Sequence, residues 1–228
     1  MFKYLFIDLD DTILDFHKAE SIAIRKTLKA FGLAPTDAVC ARYSDINRMC
    51  WERLERKEMT RAQVVVDRFG ILFQEMGVPV DPVQCSECYV ENLSVGHYFL
   101  PGAREALEEL AKKYKLYMAS NGNSKVQAGR LKSANISHLF EEIFVSQEMN
   151  AVKPTKEYFD KCFARIEGFD PAEAMIVGDS LTSDILGGKN AGIATCWINP
   201  KRKDAGDICP DYEIESLAQL PKLLDSIS

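Results

Sequence analysis

No apolar run in the 228 residues approaches the ~18 that a membrane-spanning helix requires, and the amino terminus lacks a charged segment followed by an apolar one. These absences argue against a helical membrane span and a secretion signal, so the cytoplasm is the expected location. There is no run of lysine and arginine either. With a net charge of −6 and a pI near 5.2 the chain is a poor partner for polymeric nucleic acid, although a free nucleotide is not excluded. Histidine is scarce: His17, His97 and His138 are scattered, and none forms a metal-ligand spacing. The seven cysteines are odd in number and lack framework spacing, which points to reduced thiols. The pair Cys85 and Cys88 has neither a thioredoxin-like setting nor a second pair to complete a zinc site. Internal repeats and low-complexity segments are absent.

What is present suits one substantial core, or a core with a smaller domain, at 46 % hydrophobic residues. The run Tyr4-Leu5-Phe6-Ile7 leads into Asp8-Leu9-Asp10-Asp11-Thr12. A continuous apolar stretch of this kind fits a strand covered on both faces of an α/β sheet, and such sheets bind ligands at the carboxyl ends of their strands. A carboxylate with an ordinary pKa near ~3.9 is ionised at neutral pH, so Asp8 could attack phosphorus without a base to activate it. Asp10, two residues on, lies on the same side and can handle a leaving group's proton. Turn formation or helix capping also places acids after strands.

Three later segments follow the same plan. Leu116 to Ser120 reads as a strand ending in a hydroxyl, with Asn121 and Gly122 supplying backbone N–H groups and a flexible turn that suit phosphate oxygens. Ser120 could instead cap the helix beginning near Ser124. Lys153-Pro154 follows the strand Ile143 to Val145, and an ammonium ~4 Å from a phosphate is worth about 4 kcal/mol at an effective dielectric of 20. Met175 to Val177 is a further strand, followed by Gly178-Asp179 and by Asp184. In a parallel sheet with right-handed crossovers these strand ends converge on one edge, where they compose a phosphoryl-transfer site.

With these residues in place the chain resembles the haloacid dehalogenase-like (HAD) superfamily, whose four motifs read here as Asp8-x-Asp10-x-Thr12, Ser120, Lys153-Pro154 and Gly178-Asp179-x-x-x-x-Asp184. The stretch from Ser183 to Gly192 and on through Cys196-Trp197-Ile198-Asn199 is similar to the pyrimidine 5′-nucleotidase subgroup. The resemblance implies a three-layer, doubly wound parallel α/β sheet with an inserted all-helical cap, and a hydrolase that forms an aspartyl phosphate. It implies Asp8 as nucleophile, Asp10 as general acid and base, and Mg²⁺ held by Asp8, the Asp10 carbonyl and Asp179. Asp184 supports the metal shell, while Ser120, Asn121 and Lys153 meet the phosphate. Magnesium favours oxygen ligands in a near-octahedral shell, which this set supplies. Asp10 must carry a proton when the leaving alkoxide departs, and burial beside other carboxylates is expected to favour that form.

Between residues 15 and 98 no strand is evident, whereas helix signals recur: Gly32 and Gly77 as stops, Thr60 to Gln63 as a capping box, and Asp81-Pro82 as a start. The expected division is a core of residues 1–15 and 99–228 with a cap of residues 16–98. The resemblance assigns substrate choice to the cap. Phe16, Asn47, Trp51, Arg61, Arg68 and Phe69 are the candidates, since an aromatic ring stacks on a base while Asn or Arg bonds its edge. Helical spacing favours the cap's own core for Trp51 and Phe69, and the arginines also suit solvent.

The expected substrate is a small phosphomonoester, foremost a pyrimidine nucleoside 5′-monophosphate. A sugar phosphatase or phosphomutase shares the four motifs. Asp10 argues against a dehalogenase, which has no alkoxide to protonate. A receiver-type phosphoaspartate domain needs neither the helical insertion nor the Gly178-Asp179/Asp184 segment. Nothing in the sequence fixes the oligomeric state.

Overall fold

The computed structural model describes residues 1–227. Six parallel strands, β1 (Tyr4–Ile7), β2 (Lys115–Ser120), β3 (Glu142–Val145), β4 (Ala174–Gly178), β5 (Ala194–Ile198) and β6 (Tyr212–Ile214), form one sheet in the order β3-β2-β1-β4-β5-β6. The strand order reverses at β1, with β2 on one side and β4 on the other. That reversal opens a crevice beyond the carboxyl ends of β1 and β4, the usual ligand position in an open α/β sheet. Ile7 pairs with Val177, so Asp8 and the Gly178-Asp179 pair leave the sheet side by side.

Alternation along β1 explains why the whole run is apolar. Leu5 and Ile7 pack with Met118, Val177 and the helical residues Leu107, Leu131 and Leu224 on one face. Tyr4 and Phe6 pack with Tyr117, Phe144, Tyr158 and Phe159 on the other. Both faces are therefore dry, as a parallel sheet requires.

Four helices enter between β1 and β2: α1 (Phe16–Ala30), α2 (Asp37–Glu55), α3 (Arg61–Met76) and α4 (Pro82–Ser94). Their starts follow capping chemistry. Asp15, Thr36, Thr60 and Asp81 each accept a bond from a backbone N–H of the first turn, and Thr60 with Gln63 completes a capping box. Gly77 ends α3 at a φ of 64°, a left-handed position that costs glycine nothing. Leu28, Tyr43, Ile46, Phe69, Leu72 and Tyr89 give the insert its own buried cluster.

The two linkers run past each other, with the Asp15 N–H donating to the Tyr98 carbonyl at 2.7 Å and Leu100 to Ile13 at 3.0 Å. The remaining helices are α5 (Ala103–Leu110), α6 (Ser124–Ala134), α7 (Ser146–Met149), α8 (Lys156–Phe163), α9 (Leu186–Ala191) and α10 (Leu220–Ser226). Helix α4 packs on α6, closely enough that a Cβ on Gly129 would meet Ser94 at 2.7 Å. No helix among the described residues is long and apolar enough to cross a membrane, and the seven cysteines are free.

Candidate active site

Lys153 organises the acidic end of the cleft. It is 1 % exposed, and its ammonium donates to Asp8 Oδ1 at 2.7 Å, Asp184 Oδ1 at 2.6 Å and the Ala119 carbonyl at 2.6 Å. An ammonium has three N–H donors, so all are committed. The observed work of Lys153 is to hold the two carboxylates, and it can meet a phosphate only by exchanging one of these bonds. Burial alone would lower the ammonium pKa, but Asp184 and Asp8 together hold it above the ordinary lysine value. Asp184 is fixed from its other oxygen by the Ser180 N–H at 3.1 Å.

Asp8 departs from the sequence expectation of a carboxyl with an ordinary pKa. Burial pushes it up to about 7, against the pull of Lys153 and with the further push of Asp184 and Asp10. Burial likewise raises Asp179 well above the usual carboxylate range, helped by Asp184, Asp8 and Asp11. Oxygens of Asp8, Asp179 and Asp184 lie within 4.8 Å of one another. One ammonium faces three carboxyls, so this arrangement needs more positive charge to keep Asp8 ionised.

Ser120 and Asp10 share a second network. The Ser120 oxygen accepts from the Gly122 N–H at 3.0 Å and from Gln127 Nε2 at 2.9 Å, which leaves its hydroxyl proton to donate. It does not cap α6; Asn123 does, accepting from the Val126 N–H. The Asn121 side chain is taken up by the Lys153 backbone, donating to its carbonyl and accepting from its N–H, both at 2.9 Å. Any phosphate contact from Asn121 therefore falls to its main chain. Asp10 Oδ2 accepts from Gln127 Nε2 at 2.7 Å and Oδ1 from Arg130. The hydrogen-bond partners of this side chain are therefore an amide and a guanidinium.

The haloacid dehalogenase-like hydrolase family matches residues 4–198. The chain belongs to that family. It is 39 % identical over 225 residues to the HAD-hydrolase YfnB of Bacillus subtilis, covering 98 % of this chain and 96 % of YfnB. The pyrimidine 5′-nucleotidase PynA of Streptococcus pneumoniae is 35 % identical over 226 residues, covering 98 % of this chain and 95 % of PynA. YjjG of Escherichia coli, also named a pyrimidine 5′-nucleotidase, is 28 % identical, with 97 % of each chain covered. The solved structure of magnesium-bound YfnB, described as revealing interdomain movement, superposes with a TM-score of 0.93 over 98 % of this chain and 99 % of that one. The protein is accordingly a HAD-family phosphatase.

In this HAD-like hydrolase the cap closes the cleft opposite the acids with Phe16, Trp51, Val65, Arg68, Tyr89 and Leu93. Arg68 is buried beneath rings, its guanidinium 4.8 Å from the Tyr89 centroid, and donates to Asn47 Oδ1 at 2.8 Å. Asn47 does not line this part of the cleft but the adjoining cavity, with Asp11, Phe16, Trp51 and Asp179. It accepts from Arg68 and from Trp51 Nε1 and donates to the buried Glu20, so it orients two residues that line the cleft. Phe69 is corrected: fully buried among Tyr43, Phe73 and Tyr89, it belongs to the cap's core and cannot stack on a ligand. Arg61 crosses to the core instead of facing the cleft, donating to the carbonyls of Asn121 at 2.8 Å and Gly122 at 2.9 Å and to Ser146 Oγ. Glu55 joins the same crossing through Thr182 at 3.1 Å.

Sequence reasoning missed Gln127 and Arg130. Their signal was two polar side chains at i and i+3 among Val126, Leu131 and Ala134, on the inward face of α6.

Proposed function

We propose that this protein is a Mg²⁺-dependent pyrimidine nucleoside 5′-monophosphatase that works through an aspartyl phosphate on Asp8. The observation that carries the reading is a single cleft with carboxylates and Lys153 at one end and an aromatic, Arg68-bearing wall at the other. A phosphate fits the first and a heterocycle the second. The names of PynA and YjjG support the same substrate class.

The donor set fits a hard divalent ion. Asp179 accepts no hydrogen bond on its carboxylate among the described residues, sits within 4.8 Å of Asp8, and is raised by burial and like charge, which a cation would reverse. Asp8, Asp179 and the Asp10 carbonyl would hold it, with Asp184, already bonded to Lys153 and Ser180, supporting the shell. Bound there, Mg²⁺ supplies charge that offsets the repulsion between Asp8 and a phosphate dianion.

Asp8, ionised and held by Lys153, attacks phosphorus in line with the ester oxygen. The Ser120 hydroxyl and neighbouring main-chain N–H groups receive the equatorial oxygens, so much of the acceleration is electrostatic. Asp10 delivers a proton to the departing 5′ oxygen. The resulting carboxylate then takes a proton from water as it attacks the aspartyl phosphate, returning Asp8 and releasing phosphate. The cap excludes bulk water during both steps. The free cysteines suit a reducing compartment, and the cytoplasm is the location proposed.

The test is steady-state phosphate release from a panel of nucleotides and sugar phosphates, with Mg²⁺ and with chelator. A preference for UMP, dUMP or dTMP that vanishes with chelator is expected. Release without that preference would discard the pyrimidine assignment, and phosphoryl return to a sugar would replace hydrolase by mutase.

A further inference from the structure

We propose that Arg130 is a positioning residue that fixes the orientation of the Asp10 carboxylate and ties it to the linker between cap and core. The inference rests on the phosphatase reading of the site. Arg130 is fully buried on α6, and Asp10 is the carboxylate it pairs with. Its Nη1 donates to Asp10 Oδ1, while its Nε donates to the carbonyl of Gly96 at 2.8 Å. Gly96 lies in the linker that returns from the cap. Phe16, where the outgoing linker enters α1, places its ring 5.9 Å from the same guanidinium.

Planarity makes this more than a local pairing. The guanidinium is a rigid fork, so its Nε and Nη1 bonds cannot be aimed independently. A shift of the Gly96 carbonyl therefore turns the group that holds Asp10. Gln127 restrains the other Asp10 oxygen at 2.7 Å while also bonding Ser120, so α6 grips both oxygens. That grip is tight: a Cβ on Gly122 would fall 2.1 Å from Gln127 Nε2. Arg130 Nη2 is buried without a partner among the described residues, a donor left over at the junction where both linkers and the acid meet. A residue serving only to pack the linker would not require a charge at this depth.

The separating property is the leaving group. A nucleoside alkoxide must be protonated as it leaves, whereas p-nitrophenolate is stable as an anion and departs without an acid. Parent, R130Q, R130K and G96A proteins would be assayed with Mg²⁺ on UMP and on p-nitrophenyl phosphate. For R130Q, kcat/KM on UMP is expected to fall about 100-fold, while kcat/KM on p-nitrophenyl phosphate, which reports only the steps through loss of the leaving group and not the later hydrolysis of the aspartyl phosphate, stays within about threefold. R130K should recover part of the loss. G96A touches no substrate, but its Cβ would meet Ala19 Cβ at 2.9 Å and displace the linker, so a smaller loss confined to UMP is expected.

Equal losses of kcat/KM on both substrates, or full activity of R130Q on UMP, would overturn the proposal. Should R130Q not fold, R130K and G96A decide by the same ratio. A parent protein that releases phosphate from neither ester would overturn the phosphatase reading itself, which keeps the two failures distinct.

Discussion

The carboxylate of Asp184 fills the space that a side chain on residue 178 would need: a Cβ on Gly178 would lie 2.2 Å from Asp184 Oδ2. Asp184 cannot simply turn away, because Lys153 and the Ser180 N–H hold its two oxygens. Gly178→Ala should therefore displace Asp184, loosen Lys153 and, through it, Asp8. A destabilisation of about 1–3 kcal/mol is expected, the usual size for overpacking a buried position. Magnesium affinity, followed by titration against thermal stability, should fall with it. An alanine variant with parental melting temperature and metal affinity would show that the close approach is slack.

Asp8→Asn should hold the fold and lose the reaction. The amide is nearly isosteric, and Lys153 keeps its bonds to Asp184 and the Ala119 carbonyl. Turnover below about one-thousandth of the parent rate is expected, with circular dichroism and melting temperature close to parental. Substantial residual phosphate release would refute Asp8 as the nucleophile.

The raised Asp8 pKa sets the sign of a pH effect. In the metal-free fold it lies near 7, against ~3.9 for an unfolded chain, so between those values the folded state binds more protons. Its contribution is fully present below about pH 4 and is lost as pH rises towards 7, and the raised Asp179 acts in the same direction. Magnesium held by these carboxyls would displace those protons, so the gain in melting temperature on adding it should be larger at pH 8 than at pH 5. Asp8→Asn should flatten that difference. An equal gain at both pH values in the parent protein would contradict the assignment of the metal to these carboxyls.

The core was legible in the sequence because its chemistry sits at strand ends, where a few local residues fix both position and direction. Asp8, Ser120, Lys153 and Asp179 each follow an apolar strand, and the reversal of strand order between β2 and β4 brings them together without long-range information. The partners of Asp10 were not legible. Gln127 and Arg130 meet it only because α6 packs beneath the linkers, a tertiary fact that their i, i+3 spacing on an inward face does not by itself reveal. Phe69 failed for the opposite reason. Helical periodicity placed it on a buried face but could not tell the cap's interior from the wall of the cleft, and its contacts with Tyr43 and Tyr89 decide for the interior.

Trp51 is the cap aromatic whose loss should discriminate among substrates. It lines the cleft, its Nε1 donates to Asn47 at 3.1 Å, and its ring lies 5.4 Å from the Arg61 guanidinium. Stacking of a base on an aromatic side chain contributes roughly 1–3 kcal/mol. Trp51→Ala should raise KM for UMP by about 10- to 100-fold while changing p-nitrophenyl phosphate turnover far less, and Trp51→Phe should fall between. A parallel loss on both substrates would assign Trp51 to closing the cap rather than to holding the base.

Arg61 makes the converse prediction, because its hydrogen bonds go to the core, even though its guanidinium stands 5.4 Å from the Trp51 ring. Its fork spans the carbonyls of Asn121 and Gly122 and the Ser146 hydroxyl, where the start of α3 reaches the sheet edge. A lysine carries the same charge but only a single nitrogen, which cannot occupy these three acceptors in the same geometry. Arg61→Lys and Arg61→Ala should therefore lower kcat/KM for every phosphomonoester by a similar factor, about 10-fold or more, since what weakens is closure over the phosphate and not recognition of the base. Small-angle scattering in Mg²⁺ and inorganic phosphate should show a larger radius of gyration for Arg61→Ala than for the parent. Losses that differ sharply between UMP and p-nitrophenyl phosphate, with an unchanged radius, would mean that Arg61 contacts the nucleoside directly and that the turn at Asn121 and Gly122 holds its shape without it.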